Sequence, residues 1–460
     1  MKRKEKRFAS RILAWLLAFL MITTMVPTSA FAALPAQATE AVVSNDTVVS
    51  DDVSASDETT ENGILLKTTL TDNLKIKGRR KLFTVWARDA EDNKLTPTVS
   101  MDGEKIECTW NDSVMTSFTL DFNGLEEGEH TVEIQAEDEK GNSRSMTFTV
   151  IYQKAKKGEF IGYATVSIEA FTISKGYIVE PVLMPVYEGD NAAKAIANLL
   201  HEEGYDLNYT GTLDSGFYMA NIVGSNAEKP KNATKELDLS GAAIEPHMAE
   251  KLPDLQFDAD GGTEGSLGEF DYNPYSGWMY CVNTVFPNVG YADYYLSAGD
   301  VLRTQFTLKY GGDVGGSNAM GGGYDDSYSV ANKDELTTTL AKINSAPNSA
   351  SLKADPDIAA KITEAKEVLQ NIVAEQSEVD KINDELNKLL GGEITSITLD
   401  QSEITLENEG TMQLNAKVEL TGKPVDPIEW ISEEPSIATV KKWSGNSNRC
   451  RYYNHHGKLR

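Results

Sequence analysis

The stretch 277–307 reads Gly277-Trp-Met-Tyr-Cys-Val-Asn-Thr-Val-Phe-Pro-Asn-Val-Gly-Tyr-Ala-Asp-Tyr-Tyr-Leu-Ser-Ala-Gly-Asp-Val-Leu-Arg-Thr-Gln-Phe-Thr307. It predicts two strands joined by a turn-rich loop, with aromatics crowded on the loop side and a Gly299-Asp300 turn feeding the second strand. Alternation puts Trp278 and Tyr280 on one face of the first strand and Met279 and Cys281 on the other. One face builds a core. The other is a candidate stacking surface for a planar ligand, because aromatics offer broad contact at low entropic cost and carry a polar edge. Which face is which stays open at this level. Trp278, Tyr280, Asn283, Phe286 and Tyr291 are the candidate ligand-binding residues.

Upstream, Ala164-Thr-Val-Ser-Ile-Glu-Ala170 alternates as a strand and Val182 to Val186 is extended. Asp190 then caps a helix whose apolar positions are Ala193, Ile196, Ala197 and Leu200, and Phe217 to Gly224 returns to strand. This order, together with the Gly-Trp-Met-Tyr-x-Val-Asn segment and the Gly-Asp-Val strand, resembles the transcobalamin-like C-terminal domain family of bacterial surface proteins. The resemblance covers residues 159–311 and implies an α+β domain that binds an extracellular ligand without catalysis. In eukaryotic cobalamin carriers the corresponding domain closes over the corrin from one side, and a large helical barrel supplies the other. This chain has no such barrel. Cobalamin is therefore the alternative ligand, beside a glycan, a peptide or a host protein.

Before this unit, residues 63–153 carry short alternating runs such as Leu82–Ala87, Ser117–Phe122, His130–Ala136 and Met146–Tyr152, separated by turn signals. Roughly seven strands in this space predict a β-sandwich. Its closing stretch, Gly128 to Asn142, looks like bacterial immunoglobulin-like domains. After the unit, residues 312–330 read as a Gly-rich linker, since Gly311 to Gly323 contains seven glycines among thirteen residues. Residues 331–392 predict a bundle of three helical segments, 334–343, 356–374 and 379–390. Residues 365–386 loosely resemble the FIVAR repeats of surface adhesins.

Residues 393–440 resemble group 2 bacterial immunoglobulin-like domains, but the pattern breaks before its last two strands. From Lys441 to Arg460 there are six basic residues and no acidic ones. A back-translation of this stretch, read one nucleotide later, restores the two missing strands. Residues 441–460 are accordingly expected to be a frameshifted tail.

Residues 1–32 combine a basic head, an apolar run and Ala30-Phe31-Ala32, the parts of a signal peptide, and 33–62 is an acidic Ser/Thr linker. The whole chain carries 43 basic and 70 acidic residues, a net charge of −27. Without the six basic residues and one acidic residue of the first segment, 37 basic face 69 acidic. Coulomb repulsion at that balance argues against nucleic acid and against anionic membrane. Three cysteines, Cys108, Cys281 and Cys450, give neither a disulfide framework nor a zinc site. The five histidines lack metal-ligand spacing, and Asp258-Ala-Asp260-Gly261 has only the beginning of a calcium loop. No metal and no cofactor is expected beyond the cobalamin alternative.

The expected protein is multi-domain and mainly β: immunoglobulin-like sandwiches, an α+β transcobalamin-like domain and a small helical bundle. It is expected to be secreted or cell-surface associated, a non-enzymatic binding or adhesion protein of a Gram-positive-type bacterium, with no membrane insertion after signal cleavage.

Overall fold

The computed structural model describes residues 60–61, 63–111, 115–320, 326–401, 411–428, 430, 438–442 and 449–454. The expected signal segment and almost all of the acidic linker lie outside the described residues. The protein is multi-domain and mainly β.

The first domain is a sandwich. β1 (Thr60–Glu61), β2 (Ile64–Thr68), β4 (Arg80–Arg88), β8 (Thr116–Asp121) and β7 (Cys108–Asn111) form one sheet in that order. β3 (Leu74–Ile76), β10 (Ser143–Tyr152), β9 (Gly128–Glu137), β5 (Thr98–Met101) and β6 (Glu104–Ile106) form the other. The inner faces supply Ile64, Leu66, Phe83, Val85, Phe118 and Leu120 from one sheet and Val132, Ile134, Phe148 and Val150 from the other, all buried. β9 alternates buried and exposed along nearly its whole length, as a strand with one solvated face does. There are more strands than the expected seven because β1, β3 and β6 are too short to leave an alternation signal.

The second domain contains β11 (Phe160–Glu169), β12 (Tyr177–Tyr187), α1 (Ala192–Glu202), β13 (Asp206–Thr212), β14 (Ser215–Val223), α2 (Pro246–Lys251), β15 (Ser266–Gly268), β16 (Gly277–Val282) and β17 (Val301–Thr307). Its main sheet has the order β12-β11-β17-β16, with β11 and β17 parallel and the other pairs antiparallel. β13, β14 and β15 make a second, smaller sheet. The strand–strand–helix–strand order matches the expectation. The helix cap differs: Asn191, not Asp190, holds the N-cap, its Oδ1 accepting from Lys194 N, while Asp190 accepts from Tyr187 N.

The expected Gly-rich linker begins as part of this domain. Asp313 is fully buried and accepts from the Thr307 hydroxyl and from Leu308 N, so residues 311–317 fold back onto β17. Gly316 lies so close to Phe286 that a Cβ would come within 2.6 Å of its ring. Glycine at this position serves close approach.

α3 (Asp334–Ser345), α4 (Ser349–Ala354), α5 (Pro356–Gln370) and α6 (Gln376–Asn387) form the helical bundle around Leu336, Leu340, Ile358, Leu369, Val379 and Leu386. α4 is an extra short helix between the first two expected segments. Finally β18 (Gly391–Leu399), β19 (Thr411–Lys423), β20 (Ala438–Lys442) and β21 (Arg449–Asn454) form a sheet in the order β18-β19-β21-β20. β21 belongs to the expected tail and pairs with both β19 and β20. The rest of that tail after 442 lies outside the described residues.

Candidate functional site

The main sheet of the second domain has two faces, and the pairing register assigns each side chain. Trp278, Tyr280 and Val282 share a face with Phe306, Thr304 and Leu302, and this is the face that meets α1 and the domain core. The Trp278 ring stands edge-on to Phe306 at 5.3 Å, and its Nε1 donates to Leu267 O at 3.1 Å. Tyr280 is 6% exposed, its hydroxyl donates to Val289 O, and its ring lies 4.1 Å from that of Tyr291, itself 7% exposed. Burial pushes both phenols above their ordinary range. Of the two readings open at the sequence level, the Trp278 face is the core one. Tyr280 and Tyr291 are not available as a stacking surface, because hydrophobic burial has already used their rings.

Asn283 has a structural position too. It sits at φ +54°, with Thr284 at +69°, in a tight turn closed by reciprocal hydrogen bonds between Val282 and Val285. Its Oδ1 accepts from Val301 N at 2.9 Å and its Nδ2 donates to Asp300 Oδ1 at 2.9 Å, tying this turn to the Gly299-Asp300 turn. Phe286 is half-buried beside Gly316. The five candidates are therefore neighbours, but they do not converge on one open surface.

The opposite face is covered. Thr165, Ser167, Glu169, Arg303, Gln305 and Cys281 stand on it, and α3 lies over it along β12, β11 and β17. Arg303 donates to both oxygens of Glu169 at 2.9 and 2.8 Å, and Gln305 Nε2 points at Cys281 Sγ at 3.1 Å. Lys333 Nζ donates to Leu369 O and Asn371 O at 2.8 and 2.7 Å. A cavity of about 20 Å³ lies among Glu169, Cys281, Thr284, Phe286, Arg303 and Lys333. That is room for about one water and far too little for a corrin.

The aromatic loop at the end of the sheet is engaged as well. Arg80 stands 4.3 Å over the Tyr294 ring and donates to Tyr295 O, and Arg79 stands 5.4 Å over Tyr295 while pairing with Glu188. Lys77 pairs with Glu159 at 3.1 Å. The basic run Lys77-Gly-Arg-Arg-Lys81 of an acidic chain thus holds the first domain against the second. Its signal in the sequence is the local charge reversal.

What remains exposed is a set of tyrosines that sequence reasoning did not single out as a group. Among the described residues the exposed aromatic rings are Tyr209, Tyr218, Tyr275, Tyr295 and Tyr310, and all belong to the second domain. Tyr209 packs at 5.1 Å on Phe217 across the β13–β14 hairpin, and Tyr275 packs at 5.0 Å on Tyr310. Asp258 to Gly261 forms a tight turn, with Gly261 N donating to Asp258 O. Among the described residues no group of three or more His, Cys, Asp or Glu is placed to hold a metal ion. Nor is any helix of those residues long and apolar enough to cross a membrane.

No family model matches the chain, and no curated protein matches it. Among solved structures, the tandem Ig repeats of Dlar show 11% identity over 53% of this chain and 96% of that one, with a TM-score of 0.21. The N-terminal Ig1-2 module of the Drosophila receptor protein tyrosine phosphatase DLAR shows 9% identity over 52% and 97%, with a TM-score of 0.21. The endo-beta-1,4-mannanase from Thermotoga petrophila shows 15% identity over 18% of each chain, with a TM-score of 0.17, so this chain spans under a fifth of that enzyme. At these TM-scores the likenesses carry no argument about the site.

Proposed function

We propose that this chain is a non-enzymatic binding or adhesion protein, secreted or held at the surface of a Gram-positive-type bacterium, and that its second domain is the recognition module. The observation that carries the reading is the concentration of exposed tyrosines on that domain. Exposed aromatic side chains are costly to leave in water and are the residues that anchor recognition surfaces. Tyr209 and Tyr218, which stand on opposite faces of the β13–β14 hairpin, and Tyr275 with Tyr310 near β16 are the proposed contact residues for a glycan or protein on a neighbouring cell. The resemblance of 277–307 to the transcobalamin-like family and the sandwich in front of it support the same reading. Nothing in the sheet favours a corrinoid, since the Trp278 face is core and the other face lies under α3.

The test is binding of the full chain to a glycan array and to immobilised mucin, compared with a variant carrying Tyr209→Ser, Tyr218→Ser, Tyr275→Ser and Tyr310→Ser. Saturable binding that falls at least tenfold in the variant is expected. Binding of equal strength by the variant, or saturable cobalamin binding by the full chain, would overturn the reading.

A further inference from the structure

The two central strands of the main sheet alternate as strands do when one side meets a core and the other meets water. On the core side stand Val166, Ile168, Leu302 and Phe306. On the other stand Thr165, Ser167, Glu169, Arg303, Gln305 and Thr307, yet none of these six is more than 7% exposed. A sheet face buried for good is ordinarily apolar. This one has the composition of a solvated face and is shut away by a helix.

α3 meets it with its own polar side. Its apolar residues Leu336, Leu340 and Ile343 belong to the core of the bundle, which is a separate cluster from the core of the second domain. The contacts that join helix to sheet are hydrogen bonds. Thr165 Oγ1 lies 3.2 Å from Thr338 Oγ1, Leu183 N donates to Ser345 Oγ at 2.8 Å, Asn344 Nδ2 donates to Pro181 O at 2.8 Å, and Thr284 Oγ1 donates to Asp334 Oδ2 at 2.6 Å. Every one of these groups would find water if the helices moved away, and a protein hydrogen bond gains only about 0.5–1.5 kcal/mol over its hydrated state. Ile372 of the bundle belongs to the core of the second domain, and Tyr177 packs against both cores.

The contact is also imperfect. The small cavity lies in it, and Asp334 Oδ1 is buried there without a partner. Burial raises the Asp334 carboxyl to about 6, with Arg303, Glu169 and Asp300 as its charged neighbours. Burial likewise lowers the Lys333 amine to about 7, beside Arg303, Glu169 and Glu245. Burial raises the Glu335 carboxyl, next on the turn, to about 7, with Asp380, Asp334 and Asp384 as its charged neighbours. Hydration would relieve the buried Asp334 and Lys333.

We propose that the helical bundle, α3 to α6, is a lid that lifts off the main sheet while sheet and bundle stay folded, uncovering the polar face of β11 and β17. The reporter is Cys281, which lies on the covered face and is 1% exposed. Burial raises its thiol to about 12, so the closed form does not alkylate, whereas an opened form does. The experiment is iodoacetamide labelling of the full chain across low urea concentrations, read at Cys281 by peptide mass spectrometry. The expected rate is independent of low urea and at least tenfold faster than global unfolding allows. In a Thr165→Cys/Thr338→Cys variant, oxidation is expected to slow labelling at least tenfold and reduction to restore it. A Cys281 rate that rises with urea in parallel with global unfolding from the start would overturn the proposal. That comparison uses the unmodified chain, so it decides the matter even if the double variant fails to fold.

Discussion

Glu169 and Arg303 stand on adjacent parallel strands and join through two hydrogen bonds, Nε and Nη2 of the guanidinium each reaching one carboxylate oxygen, with almost no exposure of either side chain. Ser167 Oγ donates a further bond to the same carboxylate at 2.8 Å. A bidentate pair of this kind fixes the relative slide of β11 and β17. Removing one partner leaves the other charged and dry. Glu169→Leu or Arg303→Met alone is expected to cost about 3–5 kcal/mol, and the two together markedly less. Hydrogen exchange of the β17 amides measures this, and additive losses in the double variant would contradict it.

The turn held by Asn283 gives a second expectation. Asn283→Ala keeps a positive φ that alanine dislikes and loses both side-chain bonds, to Asp300 and to Val301 N. The combined cost is about 2–4 kcal/mol. Asn283→Gly should recover the backbone part only. Urea unfolding followed by tryptophan fluorescence separates the two.

Gly316 faces the Phe286 ring too closely for any Cβ. Gly316→Ala is expected to destabilise the fold-back of residues 311–317 by about 1–3 kcal/mol through overpacking. Adding Phe286→Ala makes room, so the double variant should lose less from the glycine change than the single one does. Limited proteolysis near residue 320 reads the effect.

Asp334 sets a pH dependence. Its carboxyl titrates at about 6 in the native protein against an ordinary value of 3.8, so between those values the native state holds a proton that the unfolded state has lost. Stability from this group therefore rises as pH falls through 6 and levels off below about 4, with a span of about 3 kcal/mol at most. Lys333 acts in the opposite sense at higher pH: its lowered amine makes the native state gain stability as pH rises above about 7. Glu335, raised to about 7 by burial, and Asp300 and Asp313, also raised, add to the acid limb in the same sense, so Asp334→Asn should shrink that limb by its own share and leave the alkaline one. A melting-temperature series from about pH 4 to 9 on both chains checks it, and an unchanged acid limb in the variant would remove Asp334 from the account.

The alternating runs of the first sandwich and the strands of 277–307 were legible because a half-buried strand must place apolar residues at every second position. The helices of 334–387 were legible by their period and by caps such as Asp355, which accepts from Ile358 N. The short helix Ser349–Ala354 and the fold-back at Asp313 were not, since neither spans enough residues to carry a period. Of the candidate residues, the sequence left open which strand face is covered, and Tyr280 and Tyr291 proved to be buried. Tyr280 and Tyr291 have the chemistry of a stacking surface, but which side of a strand is covered depends on chain far away: α1 on one face, α3 on the other.

By itself, then, the sequence determined the element types, the module order and the two-faced character of the central strands, because these follow from periodicity and turn chemistry within short windows. The tertiary structure alone decided that Arg79 and Arg80 stand over Tyr295 and Tyr294, that the helical bundle sits on the polar side of the second domain, and that Tyr209, Tyr218, Tyr275, Tyr295 and Tyr310 are left exposed. Those outcomes depend on contacts between residues more than a hundred positions apart, such as Thr165 with Thr338, and no local pattern encodes which distant surface a given face will meet.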